Sequence, residues 1–342
     1  MIYETISEDI KCILGEINNI FVKEKDILVT GGAGFIGSYL CDVLVELGAN
    51  VTCLDNFSTG LTENIDHLLG KSNFHLIKEN VSNFDSATKY DYILHFASRP
   101  SPEEYQLNPI KTLLTNSLGC YRMLELTRKC DSEILFASSS EVYGDAKVVP
   151  TPETYWGNVN PVGARSCYDE GKRFGEALVM AYFKEHQLKT RIARIHNTYG
   201  PRLRADGLYG RAVSRFISQA ISGLDLTIYG DGLQTRSFCY VTDTVRGILL
   251  LLASKNSHGK IFNIGNQEEI SILELANKIR KLTESRSGIR FCPAATDDPR
   301  RRCPDIRKAS GELLWSPKIK LDEGLARTIE WFKNNSFTAR QT

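Results

Sequence analysis

Hydrophobic and polar positions follow two different patterns along the chain after Lys25. Short, continuous apolar runs predict β-strands, and longer stretches with apolar residues at helical spacing lie between several of them. The predicted strands are residues 27–30, 51–55, 74–78, 92–96, 134–138 and 190–195, and the predicted helices are residues 35–47, 110–129 and 168–184. Such alternation is typical of a parallel sheet covered on both faces, so it predicts an α/β fold with a Rossmann-type doubly wound parallel sheet.

The two ends of the chain differ from this middle part. Residues 1–25 predict an amphipathic helix outside the main fold, with Ile10, Ile13, Ile17 and Phe21 at helical spacing. After His196, turns rich in glycine, proline and charged residues separate shorter elements, which indicates a smaller C-terminal lobe that binds substrate. The expected organisation is an N-terminal extension (1–25), a dinucleotide-binding domain (26–195) and mainly a substrate lobe (196–342), with some chain returning to the first domain.

Composition excludes several classes of function. The 42 Lys and Arg residues nearly balance the 41 Asp and Glu residues, so we expect no nucleic-acid partner and no membrane surface. The nine cysteines show neither a C-x-x-C pair nor zinc-ligand spacing, so we expect no metal site and reduced thiols. No signal peptide is evident, and residues 10–21 are too short and polar to span a bilayer. We therefore expect a soluble, cytoplasmic protein.

The first candidate for chemistry is a glycine-rich turn between a predicted strand and a predicted helix. Gly31 permits a tight turn, Gly34 lets the backbone approach a pyrophosphate, and Gly37 allows close packing of helix and strand. Asp55 closes the next strand, where a carboxylate accepts the ribose hydroxyls and repels a 2′-phosphate. The sequence therefore predicts NAD rather than NADP. The Gly-x-x-Gly-x-x-Gly spacing resembles the extended short-chain dehydrogenase/reductase family.

The second candidate is a tyrosine and a lysine four residues apart, Tyr168 and Lys172, on one face of a predicted helix. A phenol has a pKa of about 10, so it is a poor base at neutral pH unless a cation stabilises the phenolate. With that help, Tyr168 takes a proton from a sugar hydroxyl as hydride leaves. Ser138, Ser139 and Ser140 end a predicted strand, at the edge where open α/β sheets bind ligands. Glu141 follows them and can act on the sugar.

Longer strings resemble one group within that family, the UDP-glucuronic acid decarboxylases. They are residues 139–145 (SSEVYGD), 155–161 (YWGNVNP), 167–173 (CYDEGKR), 194–202 (RIHNTYGPR), 234–238 (QTRSF), 297–299 (DDP) and 304–306 (PDI). The resemblance covers roughly residues 25–333. It implies oxidation of UDP-glucuronate at C4, loss of the carboxylate as carbon dioxide from the 4-keto sugar, and return of hydride to give UDP-xylose.

The resemblance also implies roles for individual residues. Tyr168 is the base, Lys172 its pKa partner, and Ser139 or Ser140 the neighbouring hydroxyl, while Glu141 and Arg236 lie near the carboxylate-bearing carbon. The implied NAD-binding residues are Gly31, Gly34, Phe35, Ile36, Gly37, Asp55, Asn56, Ser58, Thr59, Gly60, Asn80, Val81, Phe96, Ala97, Ser98, Asn116, Ser138, Tyr168 and Lys172. The implied substrate-binding residues are Arg99, Tyr105, Asn197, Arg204, Arg211, Tyr229, Gln234, Arg236 and Arg302, with Asn197, Arg204, Arg211, Gln234 and Arg302 at the UDP end.

The sequence departs from the pattern of those decarboxylases at two single positions and in one loop. Ser139 stands where threonine is usual and keeps the hydroxyl, and His196 stands where phenylalanine is usual. The loop of residues 97–105 carries Arg99 and Glu103, whereas the family has a less charged sequence there. These changes bear on what is held near C6 of the sugar more than on the fold or the redox step.

Alternative functions use the same residues. A UDP-sugar 4-epimerase, acting on UDP-glucuronate or on UDP-glucose and UDP-galactose, needs Tyr168, Lys172 and NAD, but many epimerases carry no acid at the position of Glu141. A 4,6-dehydratase is disfavoured because Ser140 replaces an aspartate, and a non-catalytic NAD-binding protein is disfavoured because both Tyr168 and Lys172 are present. A homodimer is expected, since helices 110–129 and 168–184 pair across a two-fold axis in this family.

Overall fold

The computed structural model describes residues 2–17, 20, 22–206 and 210–335. The helices are α1 (Ile2–Glu16), α2 (Phe35–Glu46), α3 (Pro102–Leu107), α4 (Pro109–Asn116), α5 (Leu118–Cys130), α6 (Ser166–His186), α7 (Ala212–Ile221), α8 (Val241–Ala253), α9 (Ile272–Leu282), α10 (Arg307–Leu313) and α11 (Leu321–Asn334). The strands are β1 (Asp26–Thr30), β2 (Asn50–Leu54), β3 (Phe74–Ile77), β4 (Tyr92–His95), β5 (Glu133–Ser139), β6 (Lys189–Ile195), β7 (Thr198–Tyr199), β8 (Leu226–Tyr229), β9 (Thr235–Ser237), β10 (Cys239–Tyr240), β11 (Lys260–Ile264), β12 (Glu269–Ser271), β13 (Ile289–Cys292) and β14 (Arg301–Arg302).

The central sheet is parallel and has the order β11–β6–β5–β4–β1–β2–β3 in the described part of the chain. Strand β1 lies inside this sheet, and its residues Ile27, Leu28 and Val29 are fully buried. Such a continuous apolar run is expected for a strand that helices cover on both faces. The strand order reverses between β1 and β4. Open α/β sheets bind ligands at such a switch point, beyond the carboxyl ends of the strands. The predicted doubly wound α/β fold is confirmed.

The chain after residue 196 contributes to both parts of the molecule. Strand β11 pairs with β6, Lys260 opposite Arg191 through Ile264 opposite Ile195, and so extends the central sheet. Shorter sheets of β12–β9–β14 and β13–β8 form the smaller lobe, against which α7 and α9 pack. The division at residues 195 and 196 stays a prediction.

The N-terminal helix differs from expectation. It ends at Glu16 rather than near residue 25, and the expected apolar position Phe21 lies outside the described residues. Helix α1 contacts α2, α8 and α11, and its buried Ile6, Ile10 and Ile13 join the main hydrophobic core. The prediction that it lies outside the fold was wrong, because its apolar stripe is buried against three helices rather than exposed.

The predicted helix 110–129 is two helices. Helix α4 ends at Asn116 and α5 begins at Leu118, with Ser117 between them. The Ser117 hydroxyl donates to the Leu113 carbonyl at 2.6 Å, a local bond that competes with a regular helix. Apolar spacing continues through the break, so the pattern did not reveal it.

Candidate active site

The glycine-rich turn forms a cradle at the carboxyl end of β1. Gly31 has a φ of +70°, a conformation that glycine adopts without strain, and a Cβ on Gly37 would overlap the carbonyl oxygen of Gly31. Helix α2 starts at Phe35 without a side-chain cap at Gly34 in the described structure. The first N–H groups of the helix therefore remain available to a phosphate, which the positive end of the helix dipole also favours.

Asp55 lies directly after β2, beside this cradle. Its carboxylate accepts hydrogen bonds from the backbone N–H groups of Ala33 at 3.0 Å and Phe57 at 2.8 Å. Burial raises the pKa of Asp55, and these backbone bonds partly oppose that rise. An ionised carboxylate has about four lone-pair sites, so two bonds leave acceptors for ribose hydroxyls. The residues present thus fit the adenosine half of a dinucleotide.

A cavity of about 690 Å³ runs from the glycine-rich turn to the smaller lobe. The expected NAD-binding residues that line it are Gly31, Gly34, Phe35, Ile36, Gly37, Asp55, Asn56, Ser58, Thr59, Asn80, Val81, Phe96, Ala97, Ser98, Ser138, Tyr168 and Lys172. The expected substrate-binding residues that line it are Arg99, Asn197, Arg204, Arg211, Tyr229, Gln234, Arg236 and Arg302. One cavity therefore gathers most of the residues singled out from the sequence.

Three expected site residues lie behind the cavity wall. A Cβ on Gly60 would stand 2.8 Å from the Asp55 carboxylate, so glycine there allows close approach. Asn116 is buried and accepts a hydrogen bond from the Ser98 hydroxyl at 2.9 Å. Tyr105 is buried and its ring lies against that of Tyr168. Each of them supports a residue of the lining.

Tyr168 and Lys172 both face the cavity from α6. Burial raises the pKa of Tyr168 to about 12, although Arg211 and a hydrogen bond with Ser139 oppose the rise. The Lys172 ammonium donates to the Ala137 carbonyl at 2.9 Å and lies 5.8 Å from the centroid of the Tyr168 ring. Burial lowers the pKa of Lys172 to about 8. Tyr168 is therefore a neutral phenol that needs nearby positive charge to act as a base.

The three serines after β5 have different surroundings. The Ser138 hydroxyl donates to Glu176 at 2.6 Å, and Glu176 is held by Arg194. The Ser139 hydroxyl accepts from the Glu141 N–H at 3.3 Å and bonds Tyr168. Ser140 is buried. Of the two serines expected beside the base, the structure places Ser139 there.

Glu141 lies in the 3₁₀ turn Ser140–Tyr143 and is held by two arginines. Arg302 donates from both terminal nitrogens to its two oxygens at 2.7 and 2.6 Å, and Arg165 donates at 2.7 Å. Burial alone would raise the pKa of Glu141, but the attraction of Arg165 and Arg302 outweighs it and lowers the pKa to about 2. Glu141 is therefore a fixed anion rather than a proton donor.

Arg236 and Arg302 are neighbours although 66 positions separate them, because β9 and β14 pair in parallel with these two residues in register. Arg236 donates to Asp298 at 2.9 Å. Burial and repulsion from Arg302 lower the pKa of the Arg236 guanidinium. Arg302 was expected at the UDP end with Arg204 and Arg211. In the structure Arg302 pairs with Glu141, while β14 holds it in register with Arg236.

The sequence interpretation missed Arg165 and Asp169. Arg165 stands directly before α6 and is only 7% exposed, and Asp169 is buried beside it at 4.0 Å. Burial and repulsion from Glu141 raise the pKa of Asp169 to about 7. Arg165 lies three positions before Tyr168 and four before Asp169, so helical spacing was the available signal. Asp298 was quoted in a motif but given no role.

The other end of the cavity carries polar groups suited to a nucleotide. The Asn197 amide nitrogen and the Gln234 amide oxygen are buried without a hydrogen-bond partner among the described residues. Gln234 donates to the Tyr229 carbonyl at 2.7 Å, and Arg204 donates to the Thr59 carbonyl at 3.1 Å. Arg211 donates to the Pro100 carbonyl at 3.0 Å. Arginines and open amide groups of this kind fit phosphates and a base edge.

Two departures from the resemblance lie at this cavity. Arg99 forms an ion pair with the buried Glu104, so its charge is compensated within the loop. His196 lines the cavity, and burial lowers its pKa to about 3, so it is neutral. Neither adds a net charge to the site.

Within residues 2–17, 20, 22–206 and 210–335, no three His, Cys, Asp or Glu side chains are grouped to hold a metal ion. None of the helices that the structure describes combines the length and apolar character needed to cross a membrane.

Comparisons with known proteins agree with the fold and the site. Residues 27–265 match the model of the NAD dependent epimerase/dehydratase family. UDP-glucuronic acid decarboxylase 1 of Danio rerio is 50% identical over 315 residues, 91% of this chain and 74% of that protein. UDP-glucuronic acid decarboxylase 3 of Arabidopsis thaliana is 48% identical over 308 residues, 90% of this chain and 89% of that protein.

A solved structure adds a second comparison. UDP-glucuronic acid 4-epimerase from Bacillus cereus, in complex with UDP-glucuronic acid and NAD, superposes with a TM-score of 0.82 at 31% identity over 90% of this chain and 99% of that one. The fold and the cavity define a dinucleotide-dependent enzyme of the short-chain dehydrogenase/reductase type. The chain belongs to the NAD-dependent epimerase/dehydratase family.

Proposed function

We propose that this protein is an NAD-dependent enzyme that decarboxylates UDP-glucuronate to UDP-xylose through a 4-keto sugar. The observation that carries the proposal is the identity of about half the residues with UDP-glucuronic acid decarboxylases over nine tenths of the chain. The site is consistent with it, because the sugar end holds a fixed carboxylate among arginines beside a tyrosine and lysine pair.

The roles of the residues follow from their positions. Tyr168 takes the proton of the C4 hydroxyl, and Ser139 orients that hydroxyl through its bond with Tyr168. The ammonium of Lys172 stabilises the phenolate that results. Bound NAD, held by the glycine-rich turn and Asp55, supplies the hydride acceptor at C4 and later the hydride donor.

Loss of carbon dioxide needs a 4-keto group and a suitable charge environment. The ketone is β to the carboxylate, so the electrons of the breaking C5–C6 bond enter an enolate, and a proton then takes the place of carbon dioxide at C5. Three arginines (165, 236 and 302) face the side chains of Glu141 and Asp298, and Asp169, whose pKa burial raises to about 7, lies beside Arg165. This balance of charge accommodates an acidic sugar, because a guanidinium keeps its charge.

A 4-epimerase is the second candidate function. The structural similarity to UDP-glucuronic acid 4-epimerase favours it, since that enzyme acts on the same sugar nucleotide. An epimerase returns hydride to the other face of the keto sugar, and the sugar keeps its carboxylate. In this chain Glu141 and its two arginines argue for the decarboxylase.

Mass spectrometry of the nucleotide sugar tests the proposal. Purified protein incubated with UDP-glucuronate is expected to convert it to a product lighter by one carbon dioxide, without net accumulation of NADH. An unchanged mass with inverted configuration at C4, seen by NMR, establishes the epimerase instead. No conversion of either kind contradicts both candidates.

We also propose a homodimer. Helices α4, α5 and α6 expose a group of apolar side chains, namely Ile110, Leu113, Leu114, Leu118, Tyr121 and Phe174, which are 37–72% exposed. An exposed apolar group of this size suggests a protein interface. The two helical segments expected to pair across a two-fold axis carry these residues.

A cytoplasmic location is likewise a proposal. All nine cysteines are free thiols in the described structure, and six of them are buried. Thiols that remain unpaired are usual in a reducing compartment. Cell fractionation with antibody detection would test this assignment.

A further inference from the structure

The guanidinium of Arg165 faces three carboxylates, one with each nitrogen. Its Nη2 donates to Glu141 at 2.7 Å, its Nη1 lies 3.6 Å from Asp298, and its Nε lies 4.0 Å from Asp169. The three acids come from the turn after β5, the loop before β14 and the first turn of α6. One side chain thus joins the central sheet, the catalytic helix and the smaller lobe.

The place of Arg165 in the chain makes this arrangement possible. It is the residue directly before α6, three positions ahead of Tyr168, and its side chain is buried. A guanidinium presents its donors in a rigid plane and stays charged, whereas a lysine ammonium is a single flexible point of charge. Only an arginine at this position can face three acids in different directions.

The arrangement fixes the orientation of the Glu141 carboxylate. One of its oxygens accepts from both Arg165 and Arg302, and the other accepts from Arg302. The plane of the carboxylate is therefore fixed from two sides. Arg165 also faces Asp298, which accepts a hydrogen bond from Arg236 at 2.9 Å. Arg165 therefore contacts both Glu141, the partner of Arg302, and Asp298, the partner of Arg236.

We propose that Arg165 is a positioning residue that fixes Glu141 for the decarboxylation step, an inference whose catalytic consequence rests on the proposed function. Among the described residues the side chain of Arg165 pairs with acids and not with Tyr168 or Lys172. Its backbone carbonyl accepts from the Tyr168 N–H at 3.0 Å, a bond that a change of side chain leaves in place. Oxidation at C4 therefore survives its removal, while loss of carbon dioxide does not.

Titration of Glu141 tests the structural half of the inference without any turnover. The full chain is labelled with ¹³C at the glutamate side-chain carboxyl, and the Glu141 signal is identified by its absence in Glu141→Gln. In the wild type this signal is expected to stay that of the carboxylate down to about pH 3, and in Arg165→Gln to titrate at least two pH units higher. An unchanged titration in Arg165→Gln overturns the inference.

Kinetics test the catalytic half. In single turnover with UDP-glucuronate, Arg165→Gln is expected to form reduced nicotinamide within about threefold of the wild-type rate, while carbon dioxide release falls roughly 10²-fold. Arg165→Lys keeps a charge and restores part of the loss. Arg128→Gln, an exposed arginine on α5, is the control and is expected to match the wild type. Equal loss of both steps in Arg165→Gln contradicts the proposal.

A double variant separates positioning from a direct role. Because Arg165 acts through Glu141, Arg165→Gln combined with Glu141→Gln is expected to be no slower than Glu141→Gln alone. A further loss in the double variant overturns the inference. If Arg165→Gln does not fold, Arg165→Lys is titrated instead, and a smaller upward shift of the Glu141 signal is expected, because the ammonium keeps its charge but lacks the rigid plane of donors. No shift in that variant overturns the inference. A wild type that releases no carbon dioxide refutes the proposed function, and the titration still decides whether Arg165 positions Glu141.

Discussion

The rings of Tyr105 and Tyr168 are stacked, with centroids 5.3 Å apart and planes inclined by 10°. Tyr105 comes from α3 and is fully buried, and its hydroxyl has no hydrogen-bond partner among the described residues. The base of the proposed reaction is thus held on one face by an aromatic ring from α3, the helix that follows β4.

Substitutions of Tyr105 separate the ring from its hydroxyl. Tyr105→Phe keeps the stack and removes a buried unpaired hydroxyl, so the free energy of unfolding is expected to rise by about 1 kcal/mol. Tyr105→Ala opens a cavity and is expected to lose about 3–5 kcal/mol and to lower kcat because Tyr168 loses its support. Denaturant unfolding and turnover of UDP-glucuronate measure both effects. Equal turnover in the two variants would show that the stack does not position the base.

Tyr168 and Lys172 are expected to contribute differently to rate and to pH dependence. Tyr168→Phe removes the proton acceptor and is expected to lower kcat roughly 10²–10⁴-fold while NAD still binds. In Lys172→Met the phenol must ionise without its cation, so kcat is expected to remain low near pH 7 and to rise with pH without reaching a plateau, because burial already raises the pKa of Tyr168 to about 12. Lys184→Met, an exposed lysine on the same helix, is the control. A pH profile of Lys172→Met that parallels the wild type contradicts the assigned role.

Asp55 is expected to set the choice of cofactor. Asp55→Asn removes the negative charge beside the ribose, so NAD is expected to bind roughly tenfold more weakly and the discrimination against NADP to shrink. Dissociation constants for both dinucleotides, measured by protein fluorescence, give the ratio. Asp26→Asn, at the exposed start of β1, is the matched control. Unchanged discrimination in Asp55→Asn would place the ribose elsewhere.

A charged substitution in the group of exposed apolar side chains tests the proposed dimer. Ile110 is 72% exposed on α4, and Ile110→Asp places a carboxylate in the proposed interface. Sedimentation is expected to give the mass of two chains for the wild type and of one chain for the variant at micromolar concentration, because an unpaired charge in an apolar interface is costly. Leu224→Asp, which alters an exposed leucine after α7, is expected to leave the dimer intact. A wild type with the mass of one chain excludes the dimer.

The parts of the site that the sequence predicted are those encoded locally. Gly31, Gly34 and Gly37 stand within seven positions, and Tyr168 and Lys172 within one helical turn, so their neighbourhood follows from the geometry of a turn and a helix. The alternation of strands and helices predicted the sheet for the same reason. The break at Ser117 escaped because apolar spacing continues through it.

The charge cluster at the sugar end depends on tertiary structure. Glu141, Arg165 and Arg302 come from three separate segments, and the register of β9 with β14 decides which arginine lies beside Glu141. No local pattern contains that register. Arg302, whose partner Glu141 lies more than a hundred positions away, was therefore predicted at the UDP end, and its pairing with Glu141 was not predicted.

Asp9, in the N-terminal helix, also has partners that the sequence pattern did not predict. The apolar spacing of α1 identified its buried face, but a single aspartate on that face gave no sign of its partners. Asp9 is completely buried and accepts hydrogen bonds from Tyr240 at 2.9 Å, Arg327 at 3.1 Å and Tyr39 at 3.3 Å. It therefore joins α1 to α2, β10 and α11.

The ionisation of Asp9 is expected to appear in the pH dependence of stability. Burial raises its pKa to about 6 from 3.8, and the bonds from Tyr240 and Arg327 oppose only part of that rise. A folded-state pKa above the unfolded one means that the folded protein binds the proton more tightly. Its contribution to stability is therefore complete below about pH 4 and is lost as the pH rises through about 6.

We expect the free energy of unfolding of the wild type, relative to Asp9→Asn, to fall by about 3 kcal/mol between pH 4 and pH 7. Denaturant unfolding of both proteins across this range measures the difference, and Glu8→Gln, an exposed neighbour on α1, is expected to change it by less than about 0.5 kcal/mol. A difference that stays constant, or that grows with pH, would show that Asp9 is ionised in the folded protein throughout the range and that Arg327 outweighs the cost of its burial.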